Sequence, residues 1–224
     1  MSEQRYIYDL AEGNGEMKSL LGGKGAGVAE MARIGVPVPD AFTVTTTACV
    51  EAMNNGGEWP EDLGAQIDDA LARLEERTGR TLGGTTKPLL VAVRSGAVFS
   101  MPGMMDTILN LGVSDESVVA IAEESGNPRF AWDCYRRFIQ MYGEVVEGVP
   151  GHAYEDALAE MKRLRGAEED TDLTAEDLEE LVATFKEISN EHLDDEWTTD
   201  SREQLHRAVN AVFRSWQNPR AEVY

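Results

Sequence analysis

The spacing of apolar residues changes near residue 112, and that change limits what the chain can fold into. Before it, short β-branched or aromatic runs alternate with helix-spaced segments. Residues 6–10, 42–45 and 89–94 read as strands, and residues 28–34 and 61–77 as helices, with Thr45 to Thr47 placed to cap another helix between them. After it, every segment has helical spacing: 118–124, 128–145, 156–164, a helix from Thr174 to Ser189, and 201–216. Strand–helix alternation followed by helices alone implies an α+β chain whose first part is α/β-like. The expected division is an α/β lobe over 1–112, a helical subdomain over 113–197, and a C-terminal helix over 198–224 that returns to the first lobe. Residues 128–145 carry Phe130, Trp132, Tyr135, Phe138, Ile139, Tyr142 and Val145, so this helix is the expected helical core.

Charge narrows the range of partners. Forty-one acidic residues against twenty basic ones leave a net charge of −21. Such a surface repels nucleic acid and anionic membranes. An anionic ligand must therefore be held by a few local cations working against the general field. Cys49 and Cys134 lie far apart in no metal-ligand spacing and read as buried small hydrophobes. His152, His192 and His206 have no partner at i, i+4 and read as surface residues. The N-terminus is polar and charged, and no apolar run reaches the length of a membrane span, so a cytoplasmic location is expected.

Two places could hold an anion. Arg94 ends the strand over residues 89–94, and a loop rich in glycine, serine and proline follows it. A guanidinium fork at a strand end, beside small residues that let backbone N–H groups approach, suits a polyphosphate. The same pattern also fits a buried strand whose arginine pairs with a carboxylate. Lys24 follows Gly22 and Gly23, and the helix spacing begins just after it. A lysine at a helix N-terminus opposes the dipole, which hints at an anion-binding role. The run GGKGAG lacks the spacing and the Ser or Thr of a Walker loop, and a flexible loop with a surface lysine fits it as well.

With these motifs in view, the sequence resembles the nucleotide-binding region of the pyruvate phosphate dikinase family. The resemblance rests on GGKG at 22–25 with AEM at 29–31, FTVTT at 42–46, VRSGA at 93–97 and, most specifically, SMPGMMDTILNLG at 100–112. It continues through GNPRFA at 126–131, YRRFIQM at 135–141, DTDLT at 170–174 and AVFRSW at 211–216. It implies a partial ATP-grasp-like nucleotide-binding lobe with a helical insertion. In that family the domain takes ATP and passes the β-phosphoryl group to a histidine on a separate central domain, with magnesium, on the way to phosphoenolpyruvate. Lys24 and Arg94 match the family's ATP-binding lysine and phosphate-binding arginine. Met101 and Gly103 are expected to line the nucleotide cleft. Thr107, with Asp106, is expected to orient the loop or else to cap a helix or turn. Of the adjacent Arg136 and Arg137, Arg137 is the one expected to meet phosphate or the incoming histidine domain, and Arg136 is set aside.

The resemblance also sets limits. The family's acidic magnesium ligands and its phosphorylated histidine have no counterpart in this sequence. The chain is therefore expected to be a truncated portion of a homo-oligomeric enzyme, inactive alone, with exposed apolar surface near its last helix. Two alternatives stand beside this reading: a non-catalytic nucleotide-binding or regulatory module, and part of a related phosphotransferase such as phosphoenolpyruvate synthase.

Overall fold

The computed structural model describes residues 4–96, 107–193 and 197–216. It is α+β, and it falls into two compact units. The first comprises residues 1–79, 94–106 and 209–224; the second comprises residues 80–93 and 107–208. This division follows contacts, whereas the boundaries at 112 and 197 follow the change of element type.

In the first unit, β1 (Ile7–Asp9) pairs antiparallel with β2 (Phe42–Val44), with Ile7 opposite Val44. Between them lies α1 (Lys18–Arg33), whose helical conformation breaks at Gly22. Thr45 accepts a hydrogen bond from the Ala48 amide at 3.3 Å and so starts α2 (Thr46–Asn54). In α3 (Leu63–Thr78), Leu63, Ile67, Ala70, Leu71 and Leu74 are buried at helical spacing. Each fully buried leucine contributes about 2 kcal/mol of transfer free energy. Gly79 ends the helix in the left-handed region, φ 64°. Gln66 on the same helix ties down the N-terminal strand. Its Oε1 accepts from the Tyr6 amide and its Nε2 donates to the Gln4 carbonyl, both at 2.8 Å.

In the second unit, β3 (Thr81–Leu82) pairs parallel with β4 (Pro88–Leu89), and β5 (Val91–Arg94) pairs with β6 (Thr107–Leu111). Only Arg94 of β5 belongs to the first unit. The strand is not buried, as its β-branched run had suggested. Val91 and Val93 are half-buried, while Ala92 and Arg94 are exposed. A two-stranded sheet leaves part of its surface uncovered, which explains the difference. β6 had not been assigned from the sequence, and it places Thr107 in a strand rather than at the cap of a helix or turn.

The helices follow: α4 (Ser117–Ser125), α5 (Pro128–Tyr142), α6 (Gly151–Arg165), α7 (Ala175–His192) and α8 (Ser201–Ser215). Asn127 caps α5 by accepting from the Phe130 amide at 3.1 Å, and Pro128 occupies its first turn. Thr174 and Asp177 cap α7 reciprocally. As its aromatic content implied, α5 is the centre of the unit, packed on α4, α7 and β6. Tyr135, Phe138, Ile139 and Tyr142 are buried on it. A π-helical turn, Gly143–Glu147, extends it. There is no space for a side chain at Gly143, because an added Cβ would lie 2.0 Å from the Tyr154 hydroxyl. That hydroxyl is paired with Ser189 at 2.7 Å.

The expected apolar exposure at α8 is not found among the described residues. Leu205, Val209, Val212 and Phe213 are all buried, and the exposed large apolar residues lie elsewhere, for example Ile34, Val119, Phe130 and Leu164.

Candidate functional site

Three short segments of the first unit meet around Lys24. The first is the break in α1. Gly22 has φ 69° and ψ 171°, a conformation open essentially only to glycine. Helical conformation resumes after it, so Lys24 lies in the first turn of the resumed helix, as its position after two glycines implied. The second segment is the exit of β5. A Cβ on Gly22 would sit 1.5 Å from the Gly96 carbonyl oxygen, so the two backbones are in direct contact. The third is β2, since a Cβ on Gly25 would come within 2.8 Å of the Thr43 methyl. The glycines of GGKG thus let the start of a helix lie flat on one strand and against the end of another.

This packing puts Lys24 within electrostatic reach of Arg94. Partial burial, and then the positive charge of Arg94, hold the Lys24 ammonium below its ordinary range. Both side chains are exposed. Among the described residues neither forms an ion pair, although the molecule carries twice as many acids as bases. Two cations within electrostatic reach of each other repel, and an anion between them relieves that repulsion. A third residue at the strand exit, Ser95, is 2% exposed and accepts a hydrogen bond from the Trp216 indole at 3.1 Å.

The remaining candidates lie elsewhere or outside the described residues. Met101 and Gly103 are outside them. Thr107 begins β6 in the second unit. Arg137 is an exposed residue of α5 whose Nε donates to Asp133 at 2.8 Å. Its neighbour Arg136 is buried. It bonds Asp133 at 2.7 Å and lies 3.6 Å from Asp170, which also pairs with Lys162. Arg129 on the same helix donates to the Leu173 and Asp170 carbonyls. Burial pushes the Asp133 carboxyl up, but Arg136 and Arg137 outweigh it and hold it below the usual carboxylate range. This cluster ties α5 to the turn before α7.

Other chemistry is scarce. Burial pushes the Cys49 thiol up to about 12, far from the range of a nucleophile. His152 and His192 are exposed and His206 is half-buried. Among the described residues no three His, Cys, Asp or Glu side chains converge to hold a metal, and no helix is long and apolar enough to cross a membrane.

Comparison with known proteins shows the family of the chain. Residues 18–57 and 55–224 match the family model described as pyruvate phosphate dikinase, AMP/ATP-binding domain. The chain belongs to that family. It is 52% identical over 221 residues to pyruvate, phosphate dikinase of Clostridium symbiosum, covering 98% of this chain and 25% of that protein. It is 50% identical over 214 residues to the chloroplastic enzyme of Flaveria pringlei, covering 96% and 22%. It is 48% identical over 214 residues to the enzyme of Rhizobium meliloti, covering 96% and 24%. The chain therefore spans about a quarter of the length of these relatives. Within the pyruvate phosphate dikinase family match, the GGKG turn and the strand ending in Arg94 both lie inside the matched region.

Proposed function

We propose that this chain supplies the ATP-binding part of a pyruvate phosphate dikinase, with Lys24 and Arg94 as a two-cation clamp on the triphosphate. The observation that carries the reading is the approach of these two cations with no carboxylate among their described neighbours. In phosphoryl transfer, charge spreads over the phosphoryl oxygens. Fixed cations on rigid elements neutralise that charge without reorganising. Arg94 provides the forked donors and Lys24 a point charge in the first turn of a helix.

The family likeness supports an ATP-grasp-like arrangement of this lobe and delivery of the β-phosphoryl group to a histidine on another domain of a cytoplasmic, homo-oligomeric enzyme. On this reading Met101 and Gly103 line the nucleotide cleft. Arg137, exposed on α5, faces the incoming histidine domain. Magnesium accompanies ATP in such a reaction, but the described residues offer it no acidic cluster, and the clamp is derived without it.

Calorimetric titration of ATP into this chain, beside Lys24→Ala and Arg94→Ala, tests the reading. Binding that weakens at least about tenfold in each variant is the expected result, since a charge-assisted contact to phosphate contributes about 1.5–3 kcal/mol. Equal affinity in all three proteins would remove the assignment.

A further inference from the structure

The strand exit that carries Arg94 is gripped from two sides. On one side the Gly96 carbonyl abuts Gly22, with no space for a side chain between them. On the other the Trp216 indole N–H reaches Ser95, the buried residue between Arg94 and Gly96. Trp216 stands just past the end of α8, its amide donating to the Phe213 carbonyl at 3.2 Å. Val212 and Phe213 are buried, and the Phe213 ring lies 6.4 Å from that of Trp59. The indole is thus presented by an anchored helix end. Packing alone would not require its N–H to face a buried hydroxyl.

We propose that Trp216 is a positioning residue for the anion clamp, acting through Ser95. The proposal rests on the reading of Lys24 and Arg94 as that clamp. The hydrogen bond fixes the Ser95 side chain and with it the backbone on either side. That sets where the Arg94 guanidinium stands relative to Lys24. A displacement of about 1 Å is enough to spoil such a site. Trp216→Phe keeps an aromatic ring and removes the donor; Ser95→Ala removes the acceptor. Neither change touches a charge of the clamp.

The experiment is ATP titration of the whole chain, comparing wild type, Trp216→Phe, Ser95→Ala and the double variant at a temperature well below each thermal midpoint. Each single variant is expected to bind about tenfold more weakly, and the double variant no more weakly than either. In wild type, the Trp216 indole N–H resonance, assigned by its loss in Trp216→Phe, is expected to shift when ATP is added. In Ser95→Ala the shift is lost. A purely structural contact would lower the midpoint and leave affinity unchanged. Wild-type affinity in Trp216→Phe, or additive losses in the double variant, would overturn the proposal, the latter by making Ser95 a direct ligand contact. If Trp216→Phe does not fold, the affinity of Ser95→Ala decides alone. Wild-type affinity in Lys24→Ala and Arg94→Ala would instead remove the clamp itself.

Discussion

The molecule holds two groups of basic residues that differ in their complement of carboxylates. On α5, Arg136 is buried against Asp133 and near Asp170, and Arg137 shares Asp133. At the break in α1, Lys24 and Arg94 approach each other with no acid among the described residues. The first group is electrostatically complete and joins α5 to the turn before α7. The second has no counter-charge among the described residues and is suited to an anion. Between buried Arg136 and the Lys24–Arg94 pair, the complement of carboxylates among the described residues marks the difference between a structural charge and one suited to a ligand.

The comparison can be broken in order of effect. Gly22→Ala should be the most damaging change. It forces a Cβ into the Gly96 carbonyl and into a backbone conformation that costs about 1–3 kcal/mol even without a clash. Loss of more than about 3 kcal/mol in urea unfolding is expected, together with loss of ATP binding. An unfolding curve superimposable on wild type would show that the close approach does not matter. Arg136→Ala comes next, at about 2 kcal/mol, because it empties a buried site and removes a charge-assisted bond to Asp133, while Arg137 and Lys162 still pair with Asp133 and Asp170. The protein that remains folded should bind ATP like wild type. Arg94→Ala should show the reverse: full stability, or a slight gain from relieved repulsion, with weakened binding. Matching stability and binding losses in both variants would erase the distinction.

pH should separate the groups more gently. Asp133 is depressed below its ordinary value of 3.8, so its contribution to folding is present above that pH and fades as acid protonates the folded form. Lys24 is depressed below 10.5 in the free protein, and a bound phosphate raises it again. ATP affinity should then fall as pH rises through the free-protein value, with little change below it. A flat affinity profile up to pH 10.5 in titrations would contradict a charged Lys24 in the complex.

Much of the scaffold was legible because local chemistry dictated it. Asn127-Pro128 marked the start of α5 and Thr174 that of α7, and side-chain caps at those positions satisfy the first free amides. Lys24 after two glycines could be placed in a first helical turn for the same kind of reason. What escaped depended on distant partners. β6 takes its strand character through pairing with β5. The helical position of Arg136 revealed nothing of Asp170, and nothing near Ser95 announced Trp216. The role of Gly22 was half visible. Its sequence context implied a loop, but only the Gly96 carbonyl shows why no other residue fits.

The pair of cations also has a kinetic consequence. A molecule of net charge −21 repels an approaching nucleotide at long range, while Lys24 and Arg94 attract it only at the last few ångströms. Added salt screens distant charges more than close ones, with a Debye length of about 8 Å at physiological strength. Moderate ionic strength should therefore speed the arrival of ATP, inverting the behaviour of proteins whose whole surface steers an anion inward.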